Sequence, residues 1–148
     1  MDIAERLKDM MVAVGKEADI PIEIDHDQIL IAVDDFVECV VEPTISGDAI
    51  EFQAPLFAFT ADMRARLFEE ASKLNLNTEG IAIALSDKAP VLVMRRTVAA
   101  EGLHHHELGE ALAGFLAAMR KVRERLTEVL GGDGDALRLD TGLEMIRG

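Results

Sequence analysis

Cysteine is nearly absent from this 148-residue chain: Cys39 is the only one. A lone cysteine excludes an intrachain disulfide and fits a reducing compartment, so the cytosol is the expected location. Long hydrophobic runs are missing too. Apolar stretches such as Ile29–Val33 fall far short of the ~20 residues that cross a bilayer, so membrane insertion is not expected. The opening Met1-Asp2-Ile3-Ala4-Glu5-Arg6 has neither the basic start nor the apolar run of a secretory signal. Bases are scarce: 15 lysines and arginines stand against 28 acids, a net charge of −13. Nucleic acid and anionic membrane would be repelled. Tryptophan does not occur at all.

Catalytic signatures are missing as well. No glycine-rich phosphate loop follows a strand, and Gly131-Gly132-Asp133-Gly134 comes after a helix, the wrong context for a phosphate or dinucleotide site. No Gly-x-Ser-x-Gly occurs. No family motif ties a base to Cys39, and a small buried hydrophobe is the usual state of a free cysteine. Asp25/Asp27 and Asp34/Asp35 sit at turns, which turn chemistry explains. His104-His105-His106 is the only group of candidate metal ligands. Adjacent helical residues point ~100° apart, so three in a row cannot face one ion from a regular helix. An irregular helix start could supply two ligands, with Glu107 or Glu110 adding a carboxylate. A solvated helix N-terminus is the plainer reading. No catalytic residue, metal or cofactor is assigned.

What is present is a packable amphipathic chain. Hydrophobic residues make up 49% of it, enough for one core, and the length suits one domain. The acidity is lopsided: residues 1–60 hold 14 acids and 3 bases, whereas residues 61–100 hold 5 acids and 6 bases. Ile3, Leu7, Met10, Met11 and Val14 define one face of a helix over 2–15, with Gly15 as its C-cap. Its two methionines make that face adaptable. Ile20, Ile22 and Ile24 alternate with Pro21 and Glu23. Ile29–Val33 reads as a strand buried on both faces. Phe36–Val41 is a further strand, ended by Pro43, and Ile50, Phe52 and Ala54 alternate as in a half-buried one. A second helix is expected over 62–74, strands at 81–85 and 91–94, and a long helix over about 104–130.

The order α-βββ-α-ββ-α, with short turns between strand pairs, predicts an α+β fold. About five strands form a twisted antiparallel sheet, and three helices cover one face. Residues 1–130 make up the domain, and 131–148 form a C-terminal tail, flexible in expectation. Several strands are apolar on both faces, while the helices cover one. A second copy of the chain is the cheapest cover for the other, which predicts a homodimer.

Laid end to end, these segments resemble class I type III secretion chaperones of the CesT/Tir-chaperone family. The resemblance is carried by Met11-Val12-Ala13-Val14-Gly15, by Ile22-Glu23-Ile24-Asp25 with Ile29–Asp35, by Ala54-Pro55-Leu56, by Leu74–Leu85, and by Phe115–Leu126. It covers about residues 3–130. No single motif is specific; order, spacing, size and acidity together carry it. Val122 stands where the family's closing helix often carries tryptophan, and Gln28 where its hairpin often has glycine. The resemblance implies a cytosolic bacterial homodimer that holds the N-terminal segment of a secreted effector in extended form. A secretion-apparatus ATPase is implied as a further partner. An extended guest adds a strand to a sheet edge and fills adjoining pockets. By that analogy Leu7, Met10, Met11 and Val14 would form one wall of the effector site, and Leu30, Ala32 and Val40 its floor. Phe68, Ile81 and Ile83 would lie at the dimer interface. Two alternatives stay open: a protein-binding or regulatory α+β module outside secretion, and a metal-binding protein using His104–His106.

Overall fold

The computed structural model describes residues 2–130 except 26–27, 34–35, 78–79 and 87–89, with 33, 36 and 75–77 described in backbone only. The turns expected at 25–27, 34–35 and 86–90 lie wholly or partly outside these residues, as does the tail 131–148.

Helix α1 (Ile3–Ala18) starts where the Asp2 carboxylate accepts the backbone N–H of Glu5 at 2.8 Å. That bond satisfies one of the N–H groups that a helix start leaves open. The helix does not stop at Gly15, as its sequence suggests. It runs a further turn and ends at Asp19, whose backbone adopts the left-handed conformation at φ 53°. Its inner face buries Leu7, Met10, Met11 and Val14.

Among the described residues the sheet has six antiparallel strands: β1 (Ile22–Asp25), β2 (Gln28–Val33), β3 (Phe36–Pro43), β4 (Ala49–Ala58), β5 (Ala82–Leu85) and β6 (Val91–Ala99). Their order across the sheet is β1-β2-β3-β4-β6-β5. The α+β architecture is as expected, but the strand count is one higher. The additional strand is β1, whose four residues pair with β2 through Ile22↔Ile31 and Ile24↔Ile29. A 3-10 turn (Ala61–Met63) leads into α2 (Arg64–Asn77), and α3 (His105–Leu130) closes the fold. At ~1.5 Å per residue, α3 is about 39 Å long and spans the sheet.

Strand parity divides the apolar residues. Ile29, Ile31, Cys39, Val41, Ile50, Phe52, Ala54, Leu92 and Met94 belong to the main core, together with the inner faces of the helices. Phe52 of β4 and Phe115 of α3 meet there, ring centroids 5.5 Å apart and tilted by 58°, a favourable aromatic geometry. Leu30, Val37 and Val40 form a separate buried cluster. Leu30 pairs with Val40, one step out of phase with the core residues, so this cluster lies on the other face of the sheet. It is already buried within one chain. Its burial therefore calls for no second copy, and the argument for a dimer from two-faced strands does not hold at these positions.

Two bulges set the geometry. One, between Ile31 and Ala32, shifts the β2–β3 register, and Glu38 lies in the shifted stretch. Its carboxylate accepts from Arg120 of α3 at 2.8 Å. The other bulge lies between Pro55 and Phe57 of β4, a place where a strand tolerates proline. There the Pro55 carbonyl accepts two bonds from the Arg123 guanidinium, at 2.6 and 3.2 Å. These contacts fix α3 on the sheet.

Candidate functional site

Among the described residues strand β1 is an outer edge of the sheet, paired with β2 on one side. Helix α1 crosses beside it. Gly15 permits the close approach: a Cβ there would stand 3.3 Å from Cδ1 of Ile22. The two elements enclose a groove of about 320 Å³ lined by Met11, Val12, Gly15, Lys16, Ile20, Ile22 and Ile24. Val12 is 46% exposed and Ile24 41% exposed. A backbone edge thus runs beside a groove whose lining combines solvent-facing aliphatic side chains with Lys16. A backbone edge offers hydrogen bonds to any extended chain, and the groove offers room for its side chains.

The residues expected to form a binding wall and floor are not brought together. Leu7, Met10, Met11 and Val14 are core residues under α1, and of the four only Met11 borders the groove. Leu30 and Val40 lie on the opposite face of the sheet, and half-buried Ala32 pairs with Val37 beside them. The groove's exposed residues were missed as a site. Val12 falls outside the apolar stripe of α1, and Gly15 reads as a helix end. The alternation of Ile20, Ile22 and Ile24 is visible in the sequence, but not the helix that it faces.

Of the residues expected at a dimer interface, Phe68 is 38% exposed on α2, with the Arg64 guanidinium 5.3 Å from its ring centroid. Ile83 is buried opposite Met94 of β6, and Ile81 is half-buried.

The histidines lie at the junction of α1 and α3. His105 Nε2 is 2.9 Å from Glu17 Oε1, and His106 Nε2 is 3.2 Å from Glu110 Oε1. Among the described residues no three His, Cys, Asp or Glu side chains are grouped as metal ligands would be. Cys39 is buried, and its Sγ–H points to the Val40 carbonyl at 3.6 Å. Burial pushes its thiol pKa well above the ordinary cysteine range, with the Glu38 charge adding to the rise and a Gln53 backbone hydrogen bond opposing it. The nucleophilic thiolate is thereby suppressed. No helix among the described residues is long and apolar enough to cross a membrane.

Among the described residues, a six-stranded antiparallel sheet, three helices packed on one face and a sheet edge beside a partly aliphatic groove define an α+β protein. The protein belongs to the Tir chaperone protein (CesT) family, whose sequence model matches residues 14–123. No curated protein matches its sequence. Solved structures share the fold at low identity. YbjN of E. coli, described as a proposed transcription regulator, is 12% identical with a TM-score of 0.67, over 82% of this chain and 92% of that one. A chain of the HopA1–SchA chaperone–effector complex is 19% identical with a TM-score of 0.59, over 80% and 93%. A chain of the complex between the Yersinia pestis type III secretion chaperone SycH and a YscM2 fragment is 14% identical with a TM-score of 0.53, over 77% and 97%.

Proposed function

We propose that this protein is a cytosolic type III secretion chaperone. As a homodimer it would bind the N-terminal segment of a secreted effector in extended form and keep it soluble for export. One observation carries the reading beyond family membership: among the described residues β1 is an outer strand of the sheet, and it lies directly against the α1–β1 groove. A guest strand paired along β1 gains backbone hydrogen bonds, while its alternate side chains enter the groove. Val12 and Ile24 contact the guest, while buried Met11 backs the groove and Leu7 and Met10 support the helix from beneath. Leu30, Ala32 and Val40 face away from this groove, so any contact that they make is with a guest wrapped onto the far face. The acidic N-terminal third keeps the sticky edge dispersed.

The homodimer rests on the family and on the exposed Phe68. Ile81 and Ile83 would support that interface from the neighbouring edge strand. Delivery to a secretion-apparatus ATPase rests on family membership alone.

Co-expression with proteins encoded beside its gene, followed by pull-down and limited proteolysis, tests the reading. Capture of an effector whose N-terminal segment is protected while lacking a fold of its own is the expected result. Capture of a folded regulator, or a monomer by light scattering at micromolar concentration, would overturn it.

A further inference from the structure

Two more recesses follow the α1–β1 groove around the C-terminal end of α1. The first, of about 250 Å³, lies between the Ala18–Pro21 loop, Ile31 of β2 and Leu116 of α3, and shares Ile20 with the groove. The second, of about 220 Å³, lies between α1 and α3 and shares Ala18 and Ala113 with the first. Each is below the ~300–1,000 Å³ typical of sites for drug-sized molecules. Each suits a single side chain better than a free metabolite.

The second recess has a defined chemistry. Its walls are Val14, Ala18, Gly109 and Ala113, and its charged rim is Glu17 and Glu110, beside His106. Among the described residues no lysine or arginine lines it. In the first recess Arg120 is already committed to Glu38. The rim carboxylates touch His105 and His106, but a carboxylate has about four lone-pair sites and can accept further donors. An arginine fork or a lysine ammonium fits that remainder.

Strand β1 alone gives a guest little purchase. Its four residues span about 13 Å at ~3.3 Å per residue. Tight binding of an extended chain therefore needs anchorage beyond the strand, and the two recesses lie where the edge runs out.

We propose that a guest paired along β1 continues round the end of α1 and places an apolar side chain in the α1–α3 recess, with an adjacent lysine or arginine facing Glu17 and Glu110. This rests on the strand-edge reading above. It adds the chemistry of the guest: a strand-forming stretch followed by an apolar–basic pair.

Synthetic peptides test it with the full chain. The short peptide alternates valine and serine. The long one adds a glycine–serine spacer ending in Leu-Lys, with Leu-Glu and Ser-Lys endings as controls. The Leu-Lys extension is expected to tighten binding about tenfold, the factor supplied by burial of one leucine side chain. The Ser-Lys and Leu-Glu endings should give less. Ala113→Leu, at an exposed helical position, should abolish the gain and leave the short peptide's affinity unchanged. Glu17→Lys with Glu110→Lys should reverse the preference between Leu-Lys and Leu-Glu. Binding of the short peptide with no gain from the extension overturns this inference alone, as does a gain that survives Ala113→Leu. No binding by the short peptide overturns the strand-edge reading, and this inference with it.

Discussion

Gly15 and Ile22 meet so closely that a Cβ on the glycine would stand 3.3 Å from the isoleucine's Cδ1. Gly15 is the only glycine in α1, and it sits where the helix rides against the edge strand. The contact is with the far end of a half-buried side chain, which can give way by a few tenths of an ångström. Gly15→Ala should therefore fold and gain up to about 1 kcal/mol of helix propensity. Gly15→Phe should fill the groove and lower affinity for the valine–serine peptide more than tenfold. Urea denaturation and peptide titration of both variants check this, and full affinity in Gly15→Phe would remove the groove from the site.

Val12 and Ile24 give a cleaner separation of binding from folding. Both are exposed, so Val12→Asp and Ile24→Asp should change stability by under about 1 kcal/mol. Each should weaken peptide binding several-fold by replacing an exposed aliphatic contact of the groove with a charge. Loss of folding in either variant, or unchanged binding in both, would contradict this placement.

Arg123 holds α3 to the sheet through two bonds to the Pro55 carbonyl. Arg123→Ala should cost about 1.5–3 kcal/mol, the range for hydrogen bonds from a charged group. Arg123→Lys should recover part of that, since one ammonium cannot reproduce the fork. Chemical denaturation of the two variants measures the difference.

Cys39 should resist thiol reagents in the folded protein, because burial raises its pKa and removes access. Its labelling rate should rise steeply only across the urea unfolding transition. Rapid labelling in native buffer would show that β3 opens locally.

Asp48 titrates low because the Ser46 and Thr44 hydroxyls donate to its carboxylate. A folded-state pKa below the unfolded one contributes stability that is present above the unfolded value and lost as pH falls through the folded one. The β3–β4 turn should therefore loosen only in acid. Ser46→Ala should move the Asp48 titration upward toward the ordinary carboxylate value, read by NMR of its side-chain carboxyl.

The sequence determined the helices, the fold class and the family. Spacings such as Leu7, Met10, Met11 and Val14 report a buried stripe directly, because helical periodicity is local. The alternation of Ile50, Phe52 and Ala54 reports a strand with equal clarity. Only the tertiary structure decided which residues share a face. In a stretch apolar at every position, such as Ile29–Val33, alternation carries no information, and a one-residue change in register exchanges the two faces. Pairing placed Leu30 and Val40 away from α1, and a bulge brought Glu38 to Arg120. The groove itself depends on the approach of Gly15 to Ile22, a contact between two elements whose separation no local pattern encodes. The family resemblance pointed to a chain that holds another polypeptide; the packing of one helix against one edge strand forms the groove where we propose that it does so.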